Sequence, residues 1–197
     1  MRYNLHLMDR IAIFASGSGT NAEQIISYFN GHASVEVGLV LSNKSDAYVL
    51  ERAKNHGIPS FVFNRHEFYE TTVIPDLLRE KGITFVVLAG FLWMVPDSLL
   101  AMYPGKILNI HPALLPLHGG KGMYGMKVHE AVIASGADES GITIHLVDDR
   151  YDAGSIVFQA KCPVLPGDTP ETLAMRIHQL EYRYFPEMIE KVIMYGA

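Results

Sequence analysis

Short apolar runs alternate with helical segments from Arg10 almost to the end of this chain, and that alternation limits the fold more than any other feature. Arg10–Ala15 (RIAIFA), Val35–Leu41, Pro59–Phe63 and Thr84–Ala89 (TFVVLA) read as strands. Apart from Glu36 and Ser60 their interiors are apolar, and the run Val35–Leu41 suggests a strand covered on both faces. Asn21–Asn30 carries Ile25, Ile26 and Phe29 at helical spacing, with Thr20 or Asn21 as cap and Gly31 at its end. Asp46–His56 is a second helix, ending at Gly57. Asn64 caps a third with Glu67 three residues on, and Pro75 should kink or divide that helix before Gly82. Further helices are expected from Asp97 to Met102, over Met126–Ser135, and from Thr169 onward. The last has Pro170 at its first position, a stripe of Leu173, Ile177, Leu180 and Tyr184, and a bend at Pro186. Strands joined by helices imply a mainly parallel sheet with helices on both sides, an α/β fold in three layers, α/β/α. Gly141–Val147 and Ser155–Lys161 are joined closely enough to form an antiparallel hairpin.

At 197 residues and 49% hydrophobic content the chain suits one domain over residues 1–197, with residues 1–9 a short N-terminal extension. Its net charge is −5, and Lys and Arg are scattered singly, so the basic footprint for nucleic acid or an anionic membrane is missing. A single cysteine, Cys162, and the absence of CxxC or HExxH motifs argue against a disulfide framework and a metal site. No apolar run is long enough to span a bilayer, and the N-terminus lacks the marks of a secretory signal, which points to the cytoplasm.

In an open parallel sheet, ligands bind beyond the carboxyl ends of the strands. Three unusual segments fall there. Lys106–Pro116 (KILNIHPALLP) starts as a buried strand, yet Asn109 and His111 are polar and, being two apart, share one face. Such groups are costly to bury without partners. A satisfied core histidine beside a loop asparagine is the plain reading of the pair. A site facing a reacting group is the other. Ser16–Asn21 (SGSGTN) leaves a strand and opens a helix, so its glycines and the helix N-terminus suit a phosphate. The same residues fit a dinucleotide fingerprint through Gly17, Gly19 and Ala22. The second strand ends in Leu41-Ser42-Asn43-Lys44, without the acid NAD requires, although Lys44 would suit an NADP phosphate. Phe91–Val95 (FLWMV) is either core packing or the wall of a slot for a flat ring. The turn Asp148–Gly154 holds three carboxylates; Asp148 and Asp149 suit a solvated turn, while Asp152 can reach back to the sheet edge.

SGSGTN, LSNKSDAYVLERA, VVLAGF, LNIHPALLP and ITIHLVDDRYDAGSIV, with their spacing, resemble the phosphoribosylglycinamide formyltransferases, a folate-dependent family of purine synthesis. The resemblance runs from about Arg10 to the C-terminal helix. LNIHP-x-LLP marks the wider formyltransferases; the phosphate loop, LSNK and the D-x-G turn narrow it. It implies a Rossmann-like, mostly parallel seven-stranded sheet with one antiparallel strand. It places catalytic roles on Asn109, His111 and Asp152, and glycinamide ribonucleotide on Gly19, Thr20, Asn21, His178 and Glu181. It places folate on Arg65, on Leu92, Trp93, Met94 and Val95, on Asn109, and on Asp148, Asp149, Arg150, Tyr151 and Asp152. His145 matches a histidine beside the active site.

The resemblance further implies 10-formyltetrahydrofolate as the formyl-donor co-substrate, no metal, small-molecule partners only, and a monomer or homodimer. In the implied chemistry, Asn109 and a protonated His111 donate to a tetrahedral oxyanion, and Asp152 raises the pKa of His111 and orders a proton-carrying water. Three features depart from the family pattern. Trp93 stands where arginine is common. His178 stands where glutamine is common. Residues 117–125 (LHGGKGMYG) form a longer, glycine-rich loop, expected to be a mobile lid over the folate. Related readings are a methionyl-tRNA formyltransferase, expected to carry a further C-terminal domain and a basic surface; a formyltetrahydrofolate hydrolase, expected to carry an N-terminal regulatory domain; and an NADP-binding Rossmann protein.

Overall fold

The computed structural model describes residues 8–197. The expectation for residues 1–7 lies outside the described residues, and Asp9, the last residue of the expected extension, already belongs to the first strand. The elements in chain order are β1 (Asp9–Phe14), α1 (Thr20–Phe29), β2 (Val35–Ser42), α2 (Val49–Asn55), β3 (Ser60–Val62), α3 (Arg65–Tyr69) and α4 (Val73–Glu80). They continue with β4 (Phe85–Leu88), α5 (Asp97–Met102), β5 (Ile107–His111), α6 (Met126–Ala134), β6 (Glu139–Leu146), β7 (Ile156–Pro163) and α7 (Pro170–Tyr195).

The strands form one seven-stranded sheet in the order β3-β2-β1-β4-β5-β6-β7. β1 to β5 run parallel, and β6 alone is reversed, pairing antiparallel with both β5 and β7. β1 lies between β2 and β4, so chain order reverses there and a crevice opens at its carboxyl end.

Continuous apolar strands make sense because each face of the sheet has its own core. Along β1, Ile11 and Ile13 join the core beneath α1, α2, α6 and α7, while Ala12 and Phe14 join the core beneath α3, α4 and α5. In α7, the buried line is Leu173, Ile177, Glu181, Phe185 and Ile189, with Leu180 and Tyr184 packed only partly against it. A carboxylate thus sits inside an apolar stripe. The helix runs unbroken through Pro186. Among the described residues no helix is long and apolar enough to cross a membrane.

Three helix starts refine the sequence reading. Asn64 and Glu67 form the expected reciprocal capping box, with bonds of 3.0 and 2.8 Å. The break between α3 and α4 falls over 70–72, just before Pro75, which occupies the first turn of α4, where its missing N–H costs nothing. α2 begins at Val49 rather than near Asp46, because the Val49 N–H is taken by the Gly17 carbonyl (3.2 Å) and the residues before it are spent in a turn.

Candidate active site

The loop after β1 is built for a close approach. α1 is capped by Gly19 in the left-handed conformation (φ 70°), and neither Thr20 nor Asn21 supplies a capping side chain. A Cβ at Gly19 would lie 2.5 Å from Val49 Cγ2, so only glycine fits. Arg52 braces the loop, donating from Nε to the Ser18 carbonyl (2.8 Å) and from Nη1 to Glu23 (3.1 Å). Buried Ser16 ties it to the segment after β4: its Oγ accepts from the Leu92 N–H (3.1 Å) and its own N–H donates to the Gly90 carbonyl. This rigid turn leads into a ten-residue helix whose positive end meets the crevice.

Glu181 joins that helix to α7. Only 4% exposed, its Oε2 accepts from Asn21 Nδ2 (3.1 Å) and pairs with His178 Nδ1 (2.8 Å). The bond to Glu181 raises the pKa of His178 above the ordinary histidine value, against the opposing effect of burial. The folded chain therefore holds a proton that the unfolded chain has released above a pH of about 6.5. Stability from this pair is complete below that pH and is lost as pH rises through the folded value. His178→Gln should flatten the decline of Tm above pH of about 6.5. An unchanged slope in Tm against pH would remove His178 as its source.

The polar pair of β5 meets the reversed strand. Asn109 stands opposite His145, and His111 opposite Thr143. The His145 Nδ1–H donates to the Leu146 carbonyl (2.8 Å), which leaves Nε2 to accept from Asn109 Nδ2 (3.0 Å). The second Asn109 amide proton meets no acceptor among the described residues. His111 Nε2–H donates to the His118 carbonyl (2.8 Å), and Nδ1 faces Asp152 Oδ2 at 3.5 Å. Asp152 accepts from the Gly120 N–H (2.9 Å) and lies 3.7 Å from His145 Nε2. Its positive φ of 52° turns the carboxylate back over the sheet edge.

The charge state differs from the expected one. Burial disfavours the imidazolium and lowers the pKa of His111, outweighing the charge of Asp152 and the His118 carbonyl. The ring is neutral at pH 7 in the free chain, not protonated. Burial alone would raise the Asp152 carboxyl, but the His145 and His111 rings and the Gly120 N–H outweigh it and hold the group below the usual carboxylate range.

Two adjoining cavities meet over these residues. The larger, about 720 Å³, extends from the SGSGTN loop past His111 to His178 and Glu181. The smaller, about 70 Å³, lies between Trp93, Met94 and Val95 on one side and Val147, Asp148 and Arg150 on the other. Asn109, Phe91, Tyr151 and Asp152 line both. Leu92 lines only the larger. Arg65 and Asp149 line neither: the Arg65 guanidinium lies over Tyr69 (4.9 Å) and Trp93 (5.9 Å), and Asp149 is exposed. Residues 120–125 of the glycine-rich loop line the larger cavity and not the smaller one, so the loop covers the phosphate-loop side rather than the Trp93 side.

Sequence reasoning missed Thr143, Gln159 and His129. Thr143 Oγ1 accepts from the Leu115 N–H (2.9 Å) and donates to the Ala113 carbonyl (2.7 Å), while Gln159 Nε2 donates to Thr143 Oγ1 and the Leu115 carbonyl. These bonds hold the HPALLP turn. A polar residue amid the apolar Ile142 and Ile144 of β6 was the available signal. His129 is 2% exposed on α6 and lines the larger cavity.

An open α/β sheet thus brings a glycine loop and a helix N-terminus at its switch point to the same cavity as an amide, an imidazole and a carboxylate. The formyl transferase family matches residues 9–189, and the chain belongs to that family. It is 42% identical over 186 residues to the chloroplastic phosphoribosylglycinamide formyltransferase of Arabidopsis thaliana, an alignment covering 91% of this chain. The chain spans 64% of that plant protein's length. It is 38% identical to the phosphoribosylglycinamide formyltransferase of Haemophilus influenzae, over 93% of this chain and 86% of the relative. The crystal structure of the phosphoribosylglycinamide formyltransferase of Streptococcus pneumoniae superposes with a TM-score of 0.83 at 39% identity, covering 94% of this chain and 99% of that one.

Proposed function

We propose that the chain transfers the formyl group of 10-formyltetrahydrofolate to the amine of 5′-phosphoribosylglycinamide, giving formylglycinamide ribonucleotide and tetrahydrofolate in purine synthesis. The observation that carries this reading is that the SGSGTN loop and the set Asn109, His111 and Asp152 open on one cavity. The names of the relatives support the choice of substrates.

In this reading the phosphate rests on Gly19, Thr20 and Asn21, and the rest of the ribonucleotide extends past His178 and Glu181 toward Asn109. The folate ring enters between Trp93–Val95 and the turn Asp148–Asp152. The amine nitrogen attacks the formyl carbon, and the oxygen of the tetrahedral intermediate takes up the negative charge. The second Asn109 amide proton and the His111 N–H donate to it, the former without rearrangement. The His111 N–H must first leave the His118 carbonyl, so the glycine-rich loop shifts as the oxyanion forms. Negative charge beside the ring also raises its proton affinity, so an imidazole that is neutral in the free chain is favoured to take a second proton from solvent as the oxyanion forms and to return it as the oxyanion collapses. Ionised Asp152 accepts the proton lost by the attacking nitrogen, directly or through water. The bond from the formyl carbon to folate N10 then breaks, and N10 receives the proton that Asp152 took up, directly or through the same water, so proton loss and gain balance.

The partners of this reading are small molecules, with no nucleic acid or membrane, and the chain works in the cytoplasm as a monomer or homodimer. A folate analogue should raise Tm, whereas NADPH should leave it unchanged. The reverse result would favour the dinucleotide reading of the glycine loop.

A further inference from the structure

His129 is a buried histidine whose side chain makes no hydrogen bond to any of the described residues. It lies on the covered face of α6 beside Val128 and Val132, and its Nδ1 is buried without a partner among the described residues. A buried polar atom left unpaired is destabilising, and native structures seldom keep one without a use. Asn21 Oδ1 shares this condition, and both side chains line the larger cavity. Packing alone accounts poorly for the histidine, because a leucine would fill the apolar face of α6 without leaving an unpaired nitrogen.

We propose that His129 is a substrate-holding residue that hydrogen-bonds a ribose hydroxyl of the ribonucleotide; this rests on the formyl-transfer reading above. Position supports the assignment. His129 is near enough to His178 and Glu181 on one side, and to His111 on the other, for their charges to act on it. It lines the same cavity as Gly19, Thr20 and Asn21 and as Asn109 and His111, the space that the sugar must cross in that reading. Its chemistry agrees. Burial above all, then the neighbouring His178, lowers its pKa, so the ring is neutral near pH 7. A neutral imidazole has one donor and one acceptor, which suits a hydroxyl, whereas a phosphate would call for a cation.

The test compares wild-type protein, His129→Leu and His129→Gln in formyl transfer, using glycinamide ribonucleotide and its 2′-deoxy and 3′-deoxy analogues. His129→Leu should raise KM for the ribonucleotide about tenfold, leave KM for the formyl donor unchanged, and lower kcat much less. His129→Gln, which keeps a donor and an acceptor, should recover most of that loss. One deoxy analogue should bind the wild type about tenfold more weakly yet be scarcely affected by His129→Leu, since the two changes remove the same bond. Equal KM for the ribonucleotide in wild type and His129→Leu would overturn the proposal while leaving the transfer reading intact. If His129→Leu does not fold, wild-type protein that accepts both analogues as well as the full ribonucleotide overturns it. Wild-type protein without any formyl transfer to the ribonucleotide overturns both readings.

Discussion

Asp152→Asn is expected to lower formyl transfer by about a thousandfold while leaving Tm within a few degrees of wild type. Asparagine keeps the shape of the side chain, accepts from the Gly120 N–H, and tolerates the left-handed backbone at this position. What it loses is the ionised group that lies 3.5 Å from His111 Nδ1 and that, in the proposed reaction, takes the proton from the attacking amine. His111→Ala should cost a similar factor, because it removes the Nε2 bond to the His118 carbonyl and, in the proposed reaction, one of two donors to the oxyanion. The two losses should be far from additive, since both residues serve one intermediate. Single-turnover rates, with circular dichroism to confirm folding, check this. Near-normal turnover in either variant would remove its residue from the mechanism.

Gly154→Ala should be the most damaging change for the fold near the site. A Cβ there would fall 1.8 Å from the Leu146 carbonyl oxygen and 2.8 Å from its carbon, and backbone cannot swing aside as a side chain would. Leu146 is where the β6–β7 hairpin closes, donating its N–H to the Ser155 carbonyl (2.9 Å), and its carbonyl receives the His145 Nδ1–H. Relieving the clash moves the turn carrying Asp152 and releases the ring that orients Asn109. The expected cost is about 2–3 kcal/mol, or a fall in Tm on the order of 5–10 °C, with turnover reduced more than tenfold. Thermal unfolding of the two proteins side by side checks it. An unchanged Tm would show that the turn relaxes freely and does not depend on the close approach at Gly154.

Much of the fold was legible because each level of the sequence pointed the same way. Continuous apolar strands such as TFVVLA demanded two covered faces, and the cores on either side of β1 supply them. The capping box at Asn64 depends on two side chains three residues apart, so it could be read directly. Cap positions set by tertiary contact could not. Gly19 replaces Thr20 as the α1 cap because Val49 crowds it, and Val49 is thirty residues away in sequence. The seat of Asn109 and His111 at the sheet edge was legible from their spacing. The charge on His111 was not: it depends on how far the glycine-rich loop and α7 exclude water, and burial there outweighs the carboxylate beside it. His129 was hidden for a related reason, since a lone histidine on an apolar helix face looks the same whether it packs or binds.

The central claim is tested most directly by incubating the purified chain with 10-formyltetrahydrofolate and glycinamide ribonucleotide and identifying the products by mass. The account predicts formylglycinamide ribonucleotide and tetrahydrofolate in equal amounts, formed about a thousandfold more slowly when His111 is replaced by alanine. Release of free formate with no formylated ribonucleotide, or no reaction in a folded chain that binds both substrates, would contradict it.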